Sequence, residues 1–221
     1  IPARPGEIAL AVVADGMGGH NAGSTASALA VETVVAELKR GGLGSPEDLI
    51  LKALSKANAV IYDYSITTPN CRGMGTTLVL AMAFKSRYVA ANIGDSRLYY
   101  FDGDSLTQVT GDHSYVAELV AAGQITREEA ARHPRRNIIT RALGTREQEQ
   151  ADTFKGSWKA GDMLMLCTDG LFGVLQDTEM ARVLREEADM EAACERLVEI
   201  ALYGGSTDNI SVALIRNEEG Q

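Results

Sequence analysis

The sequence predicts an α+β fold in which helices cover packed antiparallel sheets. Two observations carry this. Helical patterns lie towards both ends of the chain, and the middle is a block of short apolar runs joined by Gly-Asp or Asp-Gly turns. Two long helices, a block of antiparallel strands, then more helix and strand imply helices covering packed sheets.

Taken in order, "EIALAVVADG" (residues 7–16) reads as a buried strand running into Asp-Gly. "ASALAVETVVAELKR" (26–40) reads as a helix that starts after the opening glycines and stops at Gly41-Gly42. Ser45-Pro46-Glu47-Asp48 supplies an N-cap, a first-turn proline and acids ahead of a second helix, "LILKALSKANAVIYDY". "GTTLVLAMAF", "YVAANIGD", "RLYYFDGD" and "LTQVT" are short strands. Thr126 with Glu129 makes a capping box for "REEAARH". "GDMLMLCTDG" is a second strand ending in Asp-Gly, Asp177–Arg185 and Met190–Tyr203 are amphipathic helices, and "STDNISVALIR" is an Asp-Asn turn leading into a strand. No repeat, low-complexity tract or linker interrupts residues 1–221, so one domain is expected.

At 221 residues with 45% hydrophobic and 23% charged residues, the composition is that of a globular chain with a sizeable core. A net charge of -9 argues against nucleic acid or an anionic membrane as the main partner and suits a protein that concentrates carboxylates. Cys71, Cys167 and Cys194 are far apart and form no CxxC pair, which points to a reducing, cytoplasmic setting rather than disulfides or zinc. No apolar run reaches the roughly 18 residues that a membrane helix needs. The first residues, "IPARPGE", read as a loop, as if the chain begins partway into a domain.

The run "VVADGMGGHNAG" raises the central question. A dinucleotide loop fails because Asn21 stands where the third glycine belongs, and a phosphate loop fails because no lysine precedes Lys39. An EF-hand fails because Asp15, Met17 and Gly19 do not alternate as oxygen ligands. A single Asp-Gly is ordinarily a surface turn. Here two buried-looking strands end in Asp-Gly, at Asp15 and Asp169, and a third element begins at Asp208. Carboxylates at the ends of buried strands are costly unless compensated, and hard divalent cations would compensate them together.

Six motifs, "VVADGMGGHNAG", "GMGTTLVLA", "NIGDSRLYYF", "HPRRNIITRALG", "LCTDGLFG" and "STDNISVALI", occur in the order found in the metal-dependent Ser/Thr protein phosphatases of the PPM (PP2C) family, which the chain resembles from about residue 8 to 216, its bacterial members most. The resemblance implies a four-layer α-β-β-α sandwich, two antiparallel sheets flanked by helices, with a metal centre at one end. It implies that Asp15, Asp169 and Asp208 are the catalytic carboxylates: Asp15 bridges two metals, Gly16 offers its carbonyl, and Asp169 and Asp208 hold the other side. Asp95 matches the acid that, with Asp169, holds a third metal in bacterial members, and Asn209 sits where it would support Asp208. The implied cofactors are Mn2+ or Mg2+, two catalytic ions and a third. The implied reaction is attack on phosphorus by a metal-activated water with no phosphoenzyme. The implied partners are phosphorylated Ser/Thr proteins and a cognate Ser/Thr kinase and its substrates, met by a monomer.

The pattern also departs from the family. Members begin with a strand carrying an acidic ligand and a phosphate-binding arginine, and this chain starts after that point. Met17 stands where eukaryotic members carry a histidine. His20, His113 and His133 read as loop histidines, with His113 shaping the turn before "SYVAELVAAG". Residues 114–137 match the mobile flap of bacterial relatives, or else are a plain helical hairpin. Arg97, Arg135 and Arg136 are candidate phosphopeptide contacts or solvated charges. A non-catalytic pseudophosphatase that binds phosphoproteins and a hydrolase of small phosphoesters are the competing functions.

Overall fold

The computed structural model describes residues 8–218. The opening run "IPARPGE", expected to be a loop, lies outside the described residues. The elements run β1 (Ala9–Val13), β2 (Gly16–Met17), α1 (His20–Arg40), α2 (Pro46–Thr67), β3 (Gly75–Thr76), β4 (Leu78–Ala83), β5 (Arg87–Ile93), β6 (Arg97–Phe101) and β7 (Leu106–Gln108). Then follow α3 (Tyr115–Ala121), α4 (Arg127–Ala131), β8 (Asp152–Ser157), β9 (Met163–Cys167), α5 (Asp169–Phe172), α6 (Asp177–Glu186), α7 (Met190–Tyr203) and β10 (Val212–Arg216).

Two four-stranded sheets form, in the orders β1-β4-β5-β8 and β10-β9-β6-β7, with every neighbouring pair antiparallel. Alternation along the strands explains the layers. From β4, Leu78, Leu80 and Met82 pack with Ala26, Ala30 and Val34 of α1 and Ile50 and Ile61 of α2. The intervening Val79, Ala81 and Ala83 face the second sheet, where Leu98, Leu164 and Leu166 meet them. On the far side Met163, Met165 and Cys167 pack with Met180 and Val183 of α6 and Leu197 of α7. Because β4 and β9 are covered on both faces, their sequences are unbroken apolar runs rather than alternating ones. The order is helices, sheet, sheet, helices, as expected.

The α2 start is as predicted: the Ser45 hydroxyl accepts from the Asp48 amide at 3.2 Å and the Asp48 carboxylate accepts from the Ser45 amide at 3.0 Å. Three elements differ from the sequence prediction. Helix α1 begins at His20 rather than Ala26, taking a poor helix former, Gly23, into its first turns. Close packing is the reason, since a Cβ built at Gly23 would stand 2.6 Å from the Gly16 carbonyl oxygen. The His20 side chain lies outside the described residues. Strand β8 went unpredicted because "DTFKGS" is a polar edge strand; its Gly156 accommodates the Tyr88 ring, which a Cβ would meet at 2.3 Å. Asp169 opens the short helix α5 rather than ending a strand.

Trp158, the only tryptophan in the sequence, follows β8 and is buried between the sheets. Its indole N–H donates to the Phe84 carbonyl at 2.7 Å and its ring meets Tyr88 edge-on.

Candidate metal centre

Strand β1 delivers Asp15 to its C-terminal end, where Thr76 and Thr77 fix the main chain. The Asp15 amide donates to the Thr77 hydroxyl at 3.1 Å, and its carbonyl accepts from the Thr77 amide and the Thr76 hydroxyl, both at 2.8 Å. The same Thr77 hydroxyl lies 2.7 Å from Ser96 Oγ. Gly94, at φ 102, packs so closely on Thr77 that a Cβ would stand 2.6 Å from its side chain. Thr77 thus joins the Asp15 turn to the Gly94-Asp95-Ser96 turn.

A second joint brings Asp169 and Asp208 together. The Thr168 hydroxyl donates to the Asn209 carbonyl at 3.1 Å and accepts from the Ser211 amide at 3.0 Å. Gly170 lets the chains approach, because a Cβ there would meet the Asn209 carbonyl oxygen at 2.4 Å. The Asp208 carboxylate accepts from the Asn209 main-chain amide at 2.8 Å, so the support expected of Asn209 is given by its backbone.

The four acids are electrostatic neighbours. Burial, then the charges of Asp169 and Asp208, push the Asp15 carboxyl up to about 6. Burial, then Asp169 and Asp112, push Asp95 up to about 7. Asp169 is raised by burial and by Asp208. Among the described residues no three His, Cys, Asp or Glu side chains close into a metal-holding group. Small hard cations keep several water ligands, so an open set of carboxylates shared with solvent is compatible with them. The donor set passes a sharper test. Asp169 Oδ1 is buried without a hydrogen-bond partner, an arrangement that is costly unless a cation supplies the missing contact. Asp15, Asp95, Asp169 and Asp208 are oxygen donors of the kind a hard divalent ion takes.

The sequence profile of the family Protein phosphatase 2C matches residues 3–202. The chain belongs to the protein phosphatase 2C family. It is 39% identical over 210 residues to the serine/threonine phosphatase stp of Listeria welshimeri, covering 93% of this chain and 83% of that one. The crystal structure of the phosphatase Stp1 from Staphylococcus aureus superposes with a TM-score of 0.89 at 36% identity, over 95% of this chain and 84% of that one. The catalytic domain of the phosphatase PstP, solved with 2 manganese ions, gives a TM-score of 0.83 at 33% identity, over 97% of this chain and 92% of that one.

In this phosphatase 2C chain Arg97 is neither a solvated charge nor turned towards a peptide. Its guanidinium grips Asp112 through Nε at 2.9 and 3.2 Å and Nη2 at 2.7 Å, donates from Nη1 to the Tyr99 hydroxyl at 2.9 Å, and lies 3.7 Å over the Phe172 ring. Phe172 ends the helix that Asp169 begins, so Arg97 packs against the far end of that helix. Sequence reading missed this, although the Arg of "GDSR" and the Asp of "GDHS" are its two halves.

His113 holds the Gly94-Asp95-Ser96 turn. Its Nδ1 accepts from the Gly94 amide at 3.1 Å, which puts the ring proton on Nε2, 3.2 Å from Asp152 Oδ2. Residues 114–137 form the helical hairpin α3–α4, and neither helix has a buried residue. Within it Arg135 lies 5.6 Å over the Tyr115 ring, and Tyr115 meets His133 at 5.9 Å. Arg136 is exposed.

Proposed function

We propose that this protein-serine/threonine phosphatase works with Mn2+ or Mg2+ on phosphoserine and phosphothreonine proteins, as a single cytoplasmic domain opposing a Ser/Thr kinase. Asp15, the Gly16 carbonyl, Asp169 and Asp208 would hold the catalytic pair, and Asp95 with Asp169 a third ion. When bound, such a pair supplies a deprotonated water near neutral pH for in-line attack on phosphorus and neutralises phosphoryl charge, so no phosphoenzyme is needed. The chain's own part is positional. Thr77 keeps the Asp15 and Asp95 turns in fixed relation, and Thr168 with Gly170 keeps Asp169 beside Asp208. Burial and mutual repulsion make these carboxylates costly to leave as bare anions, so a proton or a cation must neutralise them, and the two compete. The α3–α4 hairpin, with few ties to the body, is the element we assign to admitting substrate.

The single observation that carries this reading is Asp169 Oδ1, buried and unpartnered among repelling carboxylates. The free cysteines Cys71, Cys167 and Cys194 support the reducing compartment, and among the described residues no helix is long and apolar enough to cross a membrane. The test is Mn2+-dependent hydrolysis of a phosphothreonine peptide and of an aryl phosphate, with Asp169→Ala as control. Metal-stimulated turnover lost in the variant supports the proposal. Absence of turnover with phosphopeptide binding retained would make the chain a pseudophosphatase instead, and turnover of the aryl phosphate alone would move it to small phosphoesters.

A further inference from the structure

Among the four carboxylates of the centre Asp95 alone is buried, and the peptide bond that leads into it is tied down on both sides. The Gly94 amide donates to His113 Nδ1 at 3.1 Å, and the Gly94 carbonyl accepts from the His113 amide at 2.9 Å and from Asn92 Nδ2 at 3.1 Å. His113 is buried and is itself anchored, its carbonyl accepting from the Thr140 amide at 2.8 Å. One histidine therefore meets both polar groups of Gly94, with its ring on one and its main chain on the other.

The ring serves Gly94 only while Nδ1 is bare and the proton sits on Nε2. Asp152 sets that state. It opens β8 in register with Asn92, and its Oδ2 lies 3.2 Å from His113 Nε2. Arg141 Nη1 donates to Oδ1 of the same carboxylate at 3.2 Å and stands 3.4 Å from Nε2. Both oxygens of a carboxylate accept, so Asp152 serves the imidazole and the guanidinium together. An amide in its place cannot. A guanidinium only donates, so it takes the amide oxygen and leaves the NH2 against Nε2. The ring proton then moves to Nδ1, where it points at the Gly94 N–H, donor against donor.

We infer that Asp152 is a positioning residue for Asp95: by fixing the His113 tautomer it holds the Gly94-Asp95 peptide in the place from which the Asp95 carboxylate meets a cation, a role that rests on the reading of Asp95 as a cation ligand. The oxygens of Asp152 are taken up by His113 and Arg141, so it acts through the imidazole and not as a ligand itself. Were Arg141 and Asp152 only a surface ion pair, with side chains 41% and 51% exposed, an asparagine at this position would cost little and leave the ring proton in place.

The experiment has two readouts. Long-range proton–nitrogen spectra of isotopically labelled, metal-free protein locate the His113 ring proton, and calorimetry follows Mn2+ uptake in about 0.15 M salt, where distant charges are screened. Asp152 is half-exposed on an edge strand, so Asp152→Asn keeps its fold. In that variant the ring proton is expected on Nδ1 instead of Nε2, with the Gly94 amide signal shifted and Mn2+ affinity at the Asp95-dependent site about tenfold weaker. Adding Arg141→Met frees the new amide to turn its oxygen to Nε2, and both the tautomer and the affinity are expected to return. In an Asp95→Ala background Asp152→Asn is expected to leave Mn2+ uptake unchanged. A wild type that takes up no Mn2+ fails the metal reading and takes this role of Asp152 with it. With wild-type uptake intact, an unmoved ring proton in Asp152→Asn, no recovery on adding Arg141→Met, an unweakened Mn2+ affinity, or an equal loss in the Asp95→Ala background overturns the proposal alone.

Discussion

At the scale of single residues, the centre is a set of carboxylates kept close against their own repulsion. Asp169→Asn removes one charge and replaces the orphaned oxygen by an amide. It is expected to cut Mn2+-dependent phosphopeptide hydrolysis by at least about 100-fold while raising the melting temperature of the EDTA-treated protein at pH 7.5. The pH dependence follows from the same repulsion. Burial and the neighbouring carboxylates push Asp15 up to about 6 and Asp95 up to about 7, from an ordinary aspartate value of 3.8. The folded state therefore binds protons more tightly than the unfolded chain, and metal-free stability falls as pH rises from about 4 through 7. Cation binding must displace those protons, so Mn2+ affinity rises over the upper part of that window, by up to about tenfold per pH unit for each proton released. Calorimetry between pH 5.5 and 7.5 in two buffers of different ionisation enthalpy checks both the affinity and the proton count.

At the scale of elements, close backbone approaches decide where the carboxylates sit. Gly170→Ala sets a methyl group against the Asn209 carbonyl at 2.4 Å and should push the Asp208 loop away from α5. A loss of Mn2+ affinity of at least about tenfold is expected, whereas Gly111→Ala, with open space around its Cβ, should stay within about 0.5 kcal/mol of wild type in stability. Arg97→Ala leaves the mostly buried Asp112 charge with only the Gln108 amide as partner and frees Phe172, at a cost of about 3 kcal/mol. Adding Asp112→Ala should recover part of that loss, which a double-mutant cycle by urea unfolding measures. These approaches also mark the limit of sequence reading. The apolar runs ending at Asp15 and Asp169 were legible because burial on both faces leaves an uninterrupted signal, and Ser45 and Thr126 announced their helices by side-chain chemistry. The early start of α1 was not legible, since Gly23 argues against helix until its contact with Gly16 is seen. Strand β8 was not, because edge pairing asks little of side chains. Arg97 was not, because its partner Asp112 is brought to it by the β6–β7 hairpin and the turn beyond.

At the scale of the whole molecule, three apolar layers share two sheets, so damage to the middle one should be felt throughout. Leu164→Ala, at the sheet-to-sheet contact, is expected to cost about 2–5 kcal/mol without shifting Mn2+ affinity in the protein that remains folded. Far-ultraviolet circular dichroism and metal calorimetry separate the two effects. The placement of Trp158 makes such separation possible optically. Ala9 pairs with Ala83, next to the Phe84 carbonyl that holds the indole, while Asp15 lies past the other end of the same strand, roughly 20 Å along the chain direction. The sequence's one tryptophan therefore sits at the end of the sheet opposite Asp15. Its emission should redden when the sheets part and stay constant while cations load, so a single cuvette distinguishes a variant that has lost its metal from one that has lost its fold.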